Sequence, residues 1–275
     1  MTAGSVAGGI AAIRLISRDA DALADFYRRL GFRVGGMGSP NDPFSGRLRR
    51  LVRLQLGHQR IEIAEPLERA NPAQPVASGD LRFQHFCMVA PRMDVAMDLL
   101  DGIDGWAAIT RGSPQRLPHR SGGVTAFKFR DPEGHPLEFL AFPSGDVPKR
   151  WREAASDLDD PLIGIDHTAI CVADTQASVE WYARFGFERV GGSVNEGVEQ
   201  AHLDGVASPR VEVTTLRVPD VRPPHLELLC YDERPEAPVT DDADVIATRT
   251  VLRFPSSAPR RDPDGHRLMP SGDFS

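Results

Sequence analysis

Residues 130–140 read RDPEGHPLEFL, and residues 260–270 read RRDPDGHRLMP. Both copies carry an Asp-Pro-acid-Gly-His turn, Asp131 to His135 and Asp262 to His266, ahead of a strand-like run. The carboxylate Glu138 of the first copy is Met269 in the second. A turn kept this closely, next to an acid that is lost, implies a repeated structural unit whose chemistry differs between copies.

Other segments repeat as well. Residues 25–36 read DFYRRLGFRVGG and residues 180–192 read EWYARFGFERVGG. Each follows an Asp (Asp19, Asp174) suited to a helix N-cap, and each helical pattern ends at a Gly (Gly31, Gly186) placed like a C-cap. A β-rich segment comes next. A second pair of starts is FQHFCMVAPRMDVAMDLL, from Phe83, and VIATRTVLRF, from Val245. The first leads through a helix and the loop RGSPQRLPHRSGG to VTAFKF, the turn and PLEFLAF. The second runs almost directly into its turn and leaves no room for a helix. Four units therefore start near residues 10, 82, 163 and 245, the last one stunted. Pro- and charge-rich linkers separate them: EPLERANPAQP, PSGDVPKRWREAASDLDDP and DERPEAPVTDDAD.

The 275 residues are 41% hydrophobic and 26% charged, as in an ordinary globular protein. A formal net charge of −7 argues against a nucleic-acid partner. The basic run RLRRLVR places Arg49 and Arg53 in alternation around Leu51, which reads as a solvated strand face. No run approaches the roughly 20 apolar residues of a membrane-spanning helix, and the N-terminal residues lack the basic region of a secretory signal. Cys87, Cys171 and Cys230 lie inside apolar runs and form no disulfide framework. A cytoplasmic monomer or homodimer with no membrane partner is expected.

The order strand-helix-strand-strand-strand, carried by IDHTAICVADTQASVEWYARFGF (165–187), FQHFCMVAPRMDVAMDLL and RDPEGHPLEFL, resembles the vicinal oxygen chelate (VOC) superfamily. That superfamily includes glyoxalase I, extradiol dioxygenases and bleomycin-resistance proteins, and the resemblance covers nearly the whole chain. It implies an α+β fold of tandem βαβββ modules whose mixed sheets curl into cups. The expected N-terminal domain is 8–145, with modules 8–66 and 81–143. The expected C-terminal domain is 162–275, with module 162–232 and a truncated module 243–271.

Strand alternation tells which side chains share a face. His167 lies with Ile165, Ala169 and Cys171, and His85 with Phe83 and Cys87. Glu138 lies with Pro136 and Leu140, Glu227 with His225 and Leu229, and Glu62 with Arg60 and Ala64. A mid-strand acid costs several kcal/mol to bury unless it is paired or binds a metal. Glu62 has Arg60 beside it, so an ion pair competes with a ligand role. Glu138 and Glu227 have apolar neighbours and read as ligands. A histidine in such a strand is commonly a core residue; here the resemblance implies ligands, a His in the first strand of a module and a Glu in its last. The implied pairs are His85 with Glu138 and His167 with Glu227. Module one has Ala12 at the His position, and module four has neither ligand.

Two module pairings follow from the resemblance. If sequence neighbours face each other, one cup holds Glu62, His85 and Glu138. If module two faces three and module one faces four, one cup collects His85, Glu138, His167 and Glu227. The crossed pairing accounts for every ligand kept and every ligand lost, Met269 included. Imidazole and carboxylate suit one divalent transition metal, Fe, Mn, Ni, Co or Zn. Glu138 and Glu227 are then the candidate catalytic groups. Arg116, His119 and Arg120 of the 111–123 loop are candidates to meet a small-molecule substrate. Asn195, Glu199, Gln200 and His202 are candidate pocket walls, and His135 and His266 read as structural. Two functions compete: a metal enzyme with glyoxalase-like isomerase or lyase chemistry or dioxygenase chemistry, and a metal-free binding protein of bleomycin-resistance type.

Overall fold

The computed structural model describes residues 8–37, 41–155, 160–234, 241–253 and 258–271. Parts of the second and third linkers and residues 272–275 of the expected C-terminal domain lie outside them. Module one comprises β1 (Ile10–Ile16), α1 (Ala20–Arg29), β2 (Arg33–Met37), β3 (Asn41–Asp42), β4 (Gly46–Leu56) and β5 (Gln59–Pro66). Module two comprises β6 (Gln84–Val89), α2 (Met93–Asp101), β7 (Ala107–Ala108), β8 (Gln115–Arg116), β9 (Thr125–Arg130) and β10 (Pro136–Ala141). The second linker is not simply a spacer, because it contains α3 (Lys149–Ala154). Module three comprises β11 (Gly164–Cys171), α4 (Thr175–Ala183), β12 (Glu188–Glu196), α5 (Val198–Asp204), β13 (Arg210–Arg217) and β14 (His225–Tyr231). Module four has only β15 (Arg249–Leu252), β16 (Arg260–Arg261) and β17 (Arg267–Pro270) among the described residues.

Helices α1 and α4 start where their sequence signals lie: Asp19 accepts from the Ala22 amide and Asp174 from the Ala177 amide, both at 3.0 Å. The strands form two mixed sheets. One runs β16-β17-β15-β1-β5-β4-β2 and the other β12-β13-β14-β11-β6-β10-β9-β7. Each sheet is two modules joined by their first strands, antiparallel: β1 with β15, and β6 with β11. These central strands are covered on both faces and are buried along their length. Modules one and four thus share a sheet, as do modules two and three.

Hydrophobic cores cut across this arrangement. Leu23, Phe26, Tyr27 and Ile61 of module one pack with Phe86, Met88, Phe129 and Phe139 of module two. Ile170, Tyr182, Phe187 and Leu228 of module three pack with Leu252 and Leu268 of module four. The first core also takes in Leu162 and Ile165 and the second Ile10, so cores as well as sheets tie the two halves together.

The repeated turn is the clasp between sequence neighbours. Asp131 accepts from the buried Tyr27 hydroxyl of α1 at 2.8 Å, and Nε2 of His135 donates to the Ile16 carbonyl at the end of β1 at 3.1 Å. In the second copy Asp262 accepts from the Tyr182 hydroxyl of α4 at 2.9 Å, and Nε2 of His266 donates to the Cys171 carbonyl at 2.8 Å. The intervening acid reaches the chain ahead of the neighbouring helix: Glu133 accepts from the Arg18 amide at 2.9 Å, and Asp264 from the Ala173 amide at 3.2 Å. Gly134 and Gly265 have φ of 101° and 92°, where a Cβ is strained. A buried hydroxyl left without its acceptor would cost ~1–3 kcal/mol. The turn is therefore retained for a structural role independent of Glu138, which explains its survival beside Met269.

Candidate metal centre

The sheet of modules two and three curls around a cavity of about 520 Å³. His85 from β6, Glu138 from β10, His167 from β11 and Glu227 from β14 all line it. Nε2 of His85 lies 2.9 Å from Oε2 of Glu138, and Nε2 of His167 lies 3.6 Å from Oε2 of Glu227. The two imidazole centroids are 5.7 Å apart. Ligand atoms of His85, Glu138 and His167 fall within 4.8 Å of one another. Donors each ~2.1 Å from one ion lie roughly 3–3.5 Å apart, so this spacing suits a shared cation after small rotations. The donor chemistry fits as well: both ring nitrogens of His85 are buried without a hydrogen-bond partner among the described residues. Nε2 is within ion-pair distance of Glu138, which leaves Nδ1 as the nitrogen with neither kind of contact. A buried imidazole in that state calls for an acceptor or a metal.

Electrostatics favour the ionised carboxylates. Burial raises the Glu138 carboxyl, but His85 and Lys128 outweigh it and lower its pKa. Burial also opposes ionisation of Glu227, yet His167 and His225 bring it down to about 2. Burial lowers the pKa of His85 below the ordinary value, whereas Glu227 and Asp166 overcome burial at His167 and bring it up to about 9. Glu227 is the more open acid, its side chain 20% exposed against 8% for Glu138.

Two neighbours of the site were not predicted as site residues. His225 stands on the Glu227 face, as alternation places it, with Nε2 3.3 Å from Oε1 of Glu227. Asp166 should face away from His167, but the β6–β11 register shifts between Ile165 and His167, and Asp166 is the extra residue. A bulge of this kind re-aims a side chain. Oδ2 of Asp166 thus comes 3.3 Å from Nδ1 of His167. Oδ1 of the same carboxylate accepts from the Trp151 indole at 2.7 Å and from Arg150 at 3.0 Å, both on α3. A carboxylate on Nδ1 selects the imidazole tautomer that leaves Nε2 free toward the cavity.

The structure also sorts the candidate substrate contacts. Gln200 and Asn195 line the cavity. From the 111–123 loop Arg120 lines it, while Arg116 and His119 are exposed and do not. Glu199 and His202 lie on α5 and also stay off the wall. Cys87 and Cys171 are buried and Cys230 half-buried, all free thiols.

The sheet of modules one and four holds charges of a different kind. Glu62 is paired with Arg14, at 2.9 Å to Nε and 2.7 Å to Nη2, and with Arg53 at 3.1 Å. These two supply ion pairing of the kind considered for Glu62 from sequence, and Arg53 is half-buried rather than lying on a solvated face. Arg14 also reaches Asp42 at 3.0 Å, and Asp42 holds Arg249 at 3.2 Å. Register gives the equivalences. Arg14 stands opposite Arg249 as Ala169 stands opposite His85, and Val251 opposite Met269 as Cys87 opposite Glu138. A fully buried guanidinium, Arg249, therefore occupies the position of His85. Burial raises the Asp42 carboxyl, but Arg249, the Ser45 amide and Arg14 bring it down to about 2.

Residues 164–244, which span module three, match the family model of the Glyoxalase/Bleomycin resistance protein/Dioxygenase superfamily. Over module three the chain therefore carries the mark of this superfamily. Its fold is shared with glyoxalase I from Zea mays, at 13% identity over 96% of this chain and 92% of that one, with a TM-score of 0.60. The V278E mutant of the same enzyme matches at 14% identity, with the same coverage and TM-score. A glyoxalase family protein from Enterococcus faecalis aligns with 48% of this chain and 96% of its own, at 25% identity and a TM-score of 0.35. No curated protein matches the chain in sequence. Among the described residues no helix is long and apolar enough to cross a membrane.

Proposed function

We propose that this chain is a metal-dependent enzyme of this superfamily, acting on a small oxygen-rich molecule in the cavity between modules two and three. His85, Glu138, His167 and Glu227 would hold one divalent ion, Fe, Mn, Ni, Co or Zn. The observation that carries the reading is the convergence of two His/Glu pairs on one cavity floor, with Nδ1 of the buried His85 lacking a hydrogen-bond partner among the described residues. When bound, such an ion supplies Lewis acidity to adjacent substrate oxygens. The chain's own groups do the rest. Asp166 orients His167, and Gln200 and Asn195 wall the cavity. Glu227, more open than Glu138 and flanked by His225, is the carboxylate placed to take and return a substrate proton. Two carboxylates favour isomerase or lyase chemistry over the two-His, one-carboxylate set of iron dioxygenases.

A second reading, a metal-free binding protein of bleomycin-resistance type, draws on His167. With Asp166 and Glu227 beside it, a protonated His167 neutralises part of the site's charge without any ion. Metal analysis of protein purified without chelator separates the two. About one ion per chain is expected, with His85→Ala and Glu138→Ala each losing most of it. Wild-type protein that stays metal-free when offered Mn, Fe(II), Co, Ni and Zn would favour the binding reading.

A further inference from the structure

We propose that Lys128 anchors the substrate and that the cavity consequently takes a small organic oxyanion, whose charged oxygen meets the Lys128 ammonium on the Glu138 side of the floor. The proposal deepens the preceding one and rests on its placing the reaction in this cavity. Lys128 lies on β9 directly across from Glu138, lines the cavity and is 4% exposed. Its Nζ is 2.6 Å from Oδ1 of Asp204 and 6.0 Å from the centroid of Phe83. The other Asp204 oxygen accepts from Nε2 of Gln200 at 2.7 Å and from the Tyr231 hydroxyl at 2.9 Å. Asp204 is thereby fixed from behind, and it fixes the ammonium in turn.

An ammonium carries three N–H donors. Among the described residues Asp204 takes the only hydrogen bond from Nζ, which leaves donors for the cavity. A purely structural ion pair between β9 and α5 is a weak account of this charge. Neutral bonds already fasten the end of α5: Thr110 Oγ1 to the Leu203 carbonyl at 3.1 Å, Ser78 Oγ to the Asp204 carbonyl at 2.8 Å, and the Arg111 amide to the His202 carbonyl at 2.9 Å. A buried charge pair adds little to a contact so made, since apolar residues usually serve as well.

The surroundings point the same way. Arg217 lines the opposite side, half-buried, and its side chain makes no hydrogen bond or ion pair among the described residues. Arg120 stands among the lining residues with its nearest acid, Glu196, 4.0 Å away. The carboxylates of the floor are committed to histidines, so these cations leave the cavity attractive to anions. The asymmetry also sets direction. The residue opposite Glu227 is Thr215, where Lys128 stands opposite Glu138. A charged ligand has one preferred orientation across the pseudo-symmetric floor.

The test titrates metal-free and zinc-loaded protein calorimetrically with oxalate, inorganic phosphate and neutral oxamide. Wild-type protein should bind an oxyanion in both forms and prefer oxalate to oxamide. Tighter binding of oxalate than phosphate assigns the ligand a carboxylate, and the reverse a phosphoryl group. Lys128→Met should weaken oxyanion binding at least about tenfold, leave oxamide unaffected and retain zinc. The double variant Lys128→Met/Asp204→Asn removes the stranded carboxylate too and should show the same loss if the single variant does not fold. An oxalate-over-oxamide preference unchanged in both variants, or lacking in the wild type, overturns the proposal. Wild-type protein that takes no zinc but binds oxalate through Lys128 overturns the metal reading and leaves the anchor in place.

Discussion

Glu62→Ala removes a carboxylate from the sheet of modules one and four, where Oε2 holds Arg14 twice and Oε1 holds Arg53. Stranding one member of a buried ion pair typically costs ~3–5 kcal/mol. Arg14 keeps Asp42 at 3.0 Å, so the loss belongs at the lower end, about 3 kcal/mol. At about 2 °C per kcal/mol for a chain of this size, calorimetric melting should fall by about 6 °C. Zinc affinity, measured by competition with a chromogenic chelator, should stay within about twofold of wild type, because Glu62 lies on the other sheet. His167→Ala should do the opposite to zinc, weakening it at least about tenfold. A Glu62→Ala protein that melts normally and loses its zinc would refute the assignment of the two cups.

Asp262→Asn weakens the acceptor of the Tyr182 hydroxyl and should lower unfolding free energy by about 1–3 kcal/mol in urea titrations, with zinc stoichiometry unchanged. His167 is brought up to about 9 in the metal-free site, while a ligand imidazole must be neutral. Zinc binding should therefore release a proton below that pH, and affinity should rise with pH up to about 9; calorimetry in buffers of different ionisation enthalpy reads both. Binding without proton release at neutral pH would show that His167 is not a ligand.

The modules were legible because each signal was local: the N-caps Asp19 and Asp174, the left-handed Gly31 and Gly186, and the repeated turn all lie within a few residues of the elements they set. That His85, Glu138, His167 and Glu227 line one cavity followed from alternation along short strands together with the family resemblance. Asp166 did not, because one inserted residue reverses the face that alternation assigns, and nothing in GIDHTAIC marks a bulge. Trp151 lay in a Pro- and charge-rich stretch that reads as a spacer, yet its indole clamps Asp166. Arg14 and Arg249 could have been found. The cost that singled out Glu138 among apolar neighbours applies equally to a guanidinium in IAAIRLI, and Glu62 was the obvious partner. Gln200 sits on α5, a helix that has no place in the strand-helix-strand-strand-strand order read for module three.

The crossed sheets impose an order on assembly during synthesis. β6 and β11 pair through neighbouring stretches of chain, and the last residue of that cup's quartet, Glu227, is made well before module four. β1 must instead wait for β15, across almost the whole chain, to cover its second edge. Contacts between such distant residues close slowly, and an uncovered central strand invites pairing with other chains. A growing chain therefore has the cup of modules two and three complete while β1 still offers an open edge, and the arrival of Arg249 opposite Arg14 closes the second sheet.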